Sequence, residues 1–270
     1  MSSIDLNKIE IPEFQTNELN PKKSKYCVCI PVINEGEKII KQLARMEKAD
    51  LFSNYDVVLV DGGSTDGSLN LSVLEKLGLR AVIIKNGPGK LSAQLRLGYY
   101  FCLINKYEGV ITIDGNNKDS VEAIPSFAKK LDQGFDFVQG SRFIDGGKAI
   151  NTPWIRHIAV KLIHVPLISI LARFRFTDTT NGFRAYSARV INDVRFNIFR
   201  NIFDTYELLA YLSVQVPRLG FKTIEVPVER HYPAKGKTPT KISFFKGNFT
   251  LLLILLKLVF RRYKLEKYYG

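Results

Sequence analysis

The chain has 270 residues, 46% of them hydrophobic, enough to bury one substantial core or a core and a smaller lobe, which excludes disorder throughout. Its 39 basic residues outnumber the 26 acidic ones by 13, a balance that suits an anionic partner such as nucleotide phosphates, a membrane surface or nucleic acid. Three cysteines without the spacing of a metal site or a disulfide framework point to a reducing, cytosolic setting.

In chain order, residues 1–24 contain no apolar core of signal-peptide length and read as a polar leader arm, so export is not expected. From residue 26, the short apolar runs "YCVCIPV", "YDVVLVD", "RAVIIK", "GVITID" and "FDFVQG" alternate with helical patterns, which predicts an α/β fold with a mostly parallel sheet. Ligands of such sheets bind beyond the carboxyl ends of the strands. Those ends carry "PVINEGE", "DGGSTDGS", "NGPGK" and "DGNNKD", whose convergence would make one polar cleft within a first unit, 25–145.

After residue 145 the rhythm changes to a long helical stretch, "PWIRHIAVKLIHVPLISILARF", a loop, "TDTTNGFRAY", a helix near "DTYELLAYLSV" and a last strand, "FKTIEVPV", forming a second unit, 146–238. The final unit, 239–270, contains "NFTLLLILLKLVF", short of the roughly 20 apolar residues that cross a bilayer. From Lys241 onward seven basic residues stand against the single acidic Glu266. That pattern predicts an amphipathic helix lying in the interface of an anionic membrane.

Several short motifs have two readings. Asn34 and Glu37 have the spacing of a helix capping box, beside which a functional role for the segment stands open. "VDGGSTDGS" is a strand with a glycine-rich turn and lacks the GxGxxG of a dinucleotide fold. "GPGKLSAQLRLG" is either a plain loop and helix or a means of setting Lys90 and Arg96 against phosphates. Asp114, closing "GVITID", either caps the next helix or holds a metal against a phosphate.

Taken in this order, "IPVINEGEKI", "VLVDGGSTDGS", the strand ending at Asp114, "VQGSRF", "TDTTNGFRAYS" and "IEVPVERHYPAKGKTPTKIS" resemble the family 2 glycosyltransferases of the GT-A fold, most nearly the dolichyl- and polyprenyl-phosphate sugar synthases. The resemblance covers residues 25–250. It implies a Rossmann-like GT-A sheet with flanking helices, a GDP- or UDP-linked sugar donor, inverting transfer and a Mg²⁺ or Mn²⁺ ion. By that resemblance Pro31, Asn34, Glu35 and Asp61 hold the base and ribose, and Asp114 is the first aspartate of a metal-binding DxD motif. The leaving diphosphate needs a cation because negative charge develops on it. The second aspartate is replaced by Asn116, whose amide oxygen still coordinates but with one charge fewer. Lys118, by pairing with the diphosphate, or Asp119, by supplying a carboxylate, would compensate.

On the acceptor side, Asp178, Asn181, Gly182 and Arg184 resemble the D-x-x-S/C-G-F-R block, with asparagine in place of the small residue. A plain Asp178–Arg184 ion pair is the structural alternative. Glu207 matches a helix glutamate that orients a loop or an acceptor, with Asp204 nearby. Arg230, His231, Lys235, Lys237 and Lys241 resemble a basic R-x-x-G-x-S-K loop, expanded and with threonine for serine, suited to clamping two phosphates. The catalytic set the resemblance implies is Asp114, Asp178, Arg184, Glu207, Arg230 and Lys241.

The expected activity is transfer of a hexose to a polyprenyl or dolichyl phosphate by an enzyme peripheral on the cytoplasmic face of a membrane. Transfer to a glycan hydroxyl in capsule, lipopolysaccharide or cell-surface polysaccharide synthesis is a second reading, and a non-catalytic nucleotide-binding scaffold, motivated by Asn116, is a third. Nucleic acid is not an expected partner, because no recognition motif accompanies the charge. The sugar, the nucleotide, the anomer and the oligomeric state are not legible in the sequence.

Overall fold

The computed structural model describes residues 4–233, 253–260 and 263, without the side chains of residues 155 and 156. β1 (Phe14–Glu18) is followed by β2 (Tyr26–Val32), α1 (Glu37–Lys48), α2 (Leu51–Asn54), β3 (Asp56–Asp61), α3 (Leu71–Lys76), β4 (Ala81–Lys85), α4 (Leu91–Ile104) and β5 (Gly109–Thr112). The chain continues through α5 (Ile124–Asp132), β6 (Phe137–Ser141), β7 (Lys148–Ile150), α6 (Trp154–Ala159), α7 (Val165–Ala172), β8 (Arg184–Ser187), α8 (Ala188–Ile191), α9 (Glu207–Arg218), β9 (Thr223–Pro227) and β10 (Glu229–His231).

Eight strands form one sheet in the order β1-β4-β3-β2-β5-β8-β6-β9, and β10 pairs with β7 in a second, two-stranded sheet. Neighbours in the large sheet are parallel except for the pairings made by β1 and β8. The mostly parallel α/β sheet expected from the strand–helix alternation is present. The small β7–β10 sheet lies outside the sequence reading, and two strands of the large sheet also depart from it. The leader supplies β1, which runs antiparallel along β4 and closes that edge. The segment "TDTTNGFRAY", read as a loop throughout, ends in β8, which is inserted antiparallel between β5 and β6.

The core follows from strand alternation. Cys27, Cys29, Val58 and Val60 face one layer, shared with residues of α4 and α9, whereas Val28, Ile30, Val57 and Leu59 face the other, shared with residues of α1 and α5. With both faces covered, β2 and β3 carry continuous apolar runs. α1 contributes one buried stripe, Ile39, Leu43 and Met46, at helical spacing. α4 is buried on nearly every side.

A π turn, Val160–His164, joins α6 to α7. Trp154, Ile158, Leu162 and Ile170 of this stretch are exposed. In the C-terminal stretch, Ile254, Leu255 and Leu258 join the same core layer as α9, and Tyr263 stacks on Phe203, while Leu256 and Phe260 are exposed. Part of the apolar run assigned from sequence to a membrane-surface helix therefore belongs to the core. Among the described residues no helix is long and apolar enough to cross a membrane.

Candidate active site

The parallel register of β2 with β3 and β5 brings three strand ends together, and side chains stitch the loops beyond them. Asn34 adopts the left-handed conformation (φ 46°), which asparagine tolerates better than most residues. Its Oδ1 accepts from the Thr65 amide (2.8 Å), and its own amide donates to Ser64 Oγ (2.9 Å). Asp61 accepts from the Ser64 amide (3.0 Å) and hydroxyl (2.5 Å). The capping box is not formed, because α1 begins after Gly36 without a side-chain cap and Glu37 bonds to Lys41 instead. Asn34 serves the neighbouring loop rather than its own helix.

Glu35 lies 3.5 Å from Lys38. Pro31, Leu91, Leu95, Asp114 and Gly182 line a small cavity at these strand ends, and Lys90 is exposed immediately before α4. Arg96, expected beside Lys90, is tied up elsewhere. It is buried and donates to the Glu10 carbonyl and to Asn201 Oδ1 (2.9 Å), fastening α4 to the leader.

Asp114 sits two residues past β5, at the centre of a charge cluster. Its Oδ2 accepts from Arg230 Nη2 (3.1 Å) and from Asn116 Nδ2 (3.4 Å). Gly182 packs so closely that a Cβ there would lie 2.6 Å from Asp114 Oδ1, so a larger residue would have to push the carboxylate aside. The other arm of Arg230, Nη1, donates to Asp119 Oδ2. Asp119 is fully buried, and its Oδ1 has no hydrogen-bond partner among the described residues. The Asp119 carboxylate, expected as a spare metal ligand, turns to Arg230 instead.

Burial opposes charge on Arg230, but the carboxylates of Asp119 and Asp114 outweigh it and hold the guanidinium well above its ordinary value. Burial likewise pushes the Asp119 carboxyl up, partly offset by Arg230. Backbone bonds lock the arrangement: Ser120 N to Glu229 O (3.0 Å) and His231 N to Lys118 O (2.8 Å). Lys118 is buried with its Nζ 5.2 Å from the Tyr232 ring centre, and its amide donates to Asn116 Oδ1 (3.3 Å).

Asp178 and Arg184 do not pair. Asp178 is fully buried and gripped by Arg142, which donates from Nε to Oδ2 (2.6 Å) and from Nη2 to Oδ1 (2.9 Å). Burial alone would raise the Asp178 carboxyl, but Arg142 prevails and holds it below the usual range. The Arg184 guanidinium, equally enclosed, donates to the carbonyls of Thr179 (2.9 Å), Asn181 (2.9 Å) and Leu209 (2.7 Å) and to Ser213 Oγ (2.9 Å). Both side chains are satisfied by protein groups, and their bonds to Thr179, Thr180 and Asn181 hold the 177–183 loop. Asn181 Oδ1 accepts from the Phe183 amide (3.1 Å) in that loop. Glu207 accepts from the amides of Asp204 (3.1 Å) and Thr205 (2.5 Å), fixing the loop before its own helix. His231 is exposed beside Glu229 (3.3 Å). Lys235, Lys237 and Lys241 lie outside the described residues.

The sequence reading missed two residues. Arg142, within the quoted block "VQGSRF", is the partner of Asp178. His164, in the π turn, sets its Nδ1 2.7 Å from Thr179 Oγ1. Burial and the nearby Arg184 charge, against the opposing pull of Asp178, lower His164 to about 4 and keep it neutral.

The model of glycosyl transferase family 2 matches residues 27–195. An uncharacterised protein of Methanocaldococcus jannaschii is 32% identical over 225 residues, covering 78% of this chain and 91% of its own length. The polyprenol monophosphomannose synthase of Mycolicibacterium smegmatis is 26% identical over 206 residues, covering 74% of this chain and 75% of its own. Among solved structures, glucosyl-3-phosphoglycerate synthase of Mycobacterium tuberculosis, crystallised with Mn²⁺, UDP and phosphoglyceric acid, superposes with a TM-score of 0.58 at 18% identity, over 90% of this chain and 80% of its own. That likeness is one of fold.

Proposed function

We propose, since this chain belongs to glycosyl transferase family 2, that it moves a hexose from a GDP- or UDP-linked sugar to a polyprenyl phosphate, with inversion, at the cytoplasmic face of a membrane. The observation that carries the choice of acceptor is the state of the acceptor-side carboxylates. Asp178 is saturated by Arg142, and Glu207 is engaged by its own loop. A hydroxyl acceptor needs a base to take its proton, whereas a phosphate is already ionised near neutral pH and needs cations. The polyprenol-phosphate enzyme among the relatives supports the same choice.

In this reading Pro31, Asn34, Glu35 and Asp61 seat the base and ribose, and the diphosphate lies toward Asp114, Lys90, Lys118 and Arg230. An acceptor phosphate oxygen attacks the anomeric carbon from the face opposite the diphosphate. The bond to the leaving oxygen breaks, and its electron pair stays on the nucleoside diphosphate. Arg230 and Lys118 steady that charge, and the Asp178–Arg142 and Arg184 braces hold the loop that packs against Asp114. Mg²⁺ or Mn²⁺ is the cation the family resemblance implies, with Asp114 and Asn116 as its ligands. The residues present do not fit a tightly held ion: one oxygen of Asp114 is taken by Arg230, Asn116 brings no charge, and no group of three His, Cys, Asp or Glu that could hold a metal occurs among the described residues.

Exposed Trp154, Leu162, Ile170 and Phe260 support contact with a lipid surface. Because Ile254, Leu255 and Leu258 are core residues, serine at Leu256 and Phe260, and separately at Leu162 and Ile170, tests that contact without emptying the core. Loss of pelleting with anionic liposomes in one pair assigns the surface.

The deciding experiment incubates the protein with labelled GDP- and UDP-sugars and a polyprenyl phosphate in detergent, with and without Mg²⁺ or Mn²⁺. Label in the organic phase is expected. Released nucleotide without lipid label would favour the glycan-hydroxyl reading, and no turnover in either channel the scaffold reading.

A further inference from the structure

We propose that Arg230 is the resident cation of this site and competes with divalent metal for Asp114. The guanidinium does for two carboxylates what a metal ion does, lying between Asp114 and Asp119 with one arm on each. A planar fork suits that bridging as a lysine ammonium does not. The bridge is built into the fold, since Arg230 is held through β10 against residues 118–120 by two backbone bonds and by the Glu229 amide on Ser120 Oγ (3.0 Å).

Asp119 makes the arrangement hard to dissolve. Its carboxylate is fully buried, and moving Arg230 aside would leave that charge uncompensated, a far larger penalty than losing an exposed ion pair. Asp114, in contrast, is 27% exposed at the cleft. An incoming ion therefore meets one carboxylate already engaged, and no second one at position 116. Asn116 and Arg230 act in the same sense: the first removes a negative charge from the site, and the second neutralises part of what remains. The fixed charge of Arg230 then meets the diphosphate whether or not a metal is bound.

The inference goes beyond the proposed transfer and is independent of sugar and acceptor, because it is tested with Mn²⁺ alone. Binding of Mn²⁺ to the full chain is measured by electron paramagnetic resonance and calorimetry, with no donor present. Arg230→Gln alone leaves Asp119 buried and unpaired and threatens folding. The informative variant is therefore Asp119→Asn with Arg230→Gln, which removes both buried charges together. It should bind Mn²⁺ at least about tenfold more tightly than the natural chain, the loss of one charge-assisted bond to Asp114. Arg230→Lys, which keeps the charge but not the fork, should fall between them. Affinity in the double variant equal to or weaker than that of the natural chain overturns the proposal. Failure of the transfer assay with this pattern intact would count against the proposed function and leave the inference standing.

Discussion

Two arginine–aspartate pairs stand near one another in this protein and behave differently. Arg142 and Asp178 are 1% and 0% exposed, and both Asp178 oxygens are satisfied by guanidinium, amide and hydroxyl donors. Arg230 and Asp114 meet at the rim, the carboxylate partly open and the guanidinium shared with a second acid. The first pair is a rivet and the second is poised. Chemistry needs a charge that still has bonding capacity where a substrate arrives, and only the rim pair has it.

The largest expected effect would break the rivet. Arg142→Met leaves Asp178 buried without its counter-charge and should reduce stability by about 3–5 kcal/mol, read from urea unfolding. A loss below about 1 kcal/mol would mean the pair behaves as an exposed one and the contrast is false. Next, Asp114→Asn should lower kcat/KM for sugar transfer by about 10²–10³-fold with little change in the unfolding midpoint. Comparable damage to stability would place Asp114 with the rivet.

His164, beside the rivet, sharpens the comparison through pH. Its folded value of about 4 lies below the ordinary 6.5, so between these values the unfolded chain binds a proton that the folded chain does not. Stability is then full above pH 6.5 and falls as pH drops toward 4, by about 3 kcal/mol in all. Thermal unfolding of His164→Gln across this range should show a flatter acid slope, and an unchanged slope removes His164 as the cause. Asp178, held low, adds its own loss only at still lower pH. The smallest effect is at the rim: Asn116→Asp should tighten Mn²⁺ binding by about tenfold, measured by calorimetry.

The same contrast explains what the sequence made legible. β2, β3 and β4 are short apolar runs because both of their faces are covered, and a reader of composition finds them. β1, "FQTNE", is an edge strand with polar side chains, and β8, "RAYS", is four residues led by an arginine whose burial depends on the carbonyl of Thr179 in the preceding loop and that of Leu209, 25 positions on. Neither carries an apolar signal. Asp114 was legible from its place at a strand end followed by glycine and asparagine. That Asp178 meets Arg142, 36 positions away, and not Arg184, is a product of the chain crossing. So is the service of Arg96 to the leader. Asp119 is legible only as a spare carboxylate, and its partnership with Arg230 spans 111 positions.

Cys27, Cys29 and Cys102 are all buried in the layer between β2 and α4, and burial pushes each thiol up. An alkylating reagent reaches thiolates in solution, so these three should be silent in the native state and react only when α4 lifts from the sheet. Their labelling rate is a built-in clock for opening of the central layer, readable by mass spectrometry without adding any probe.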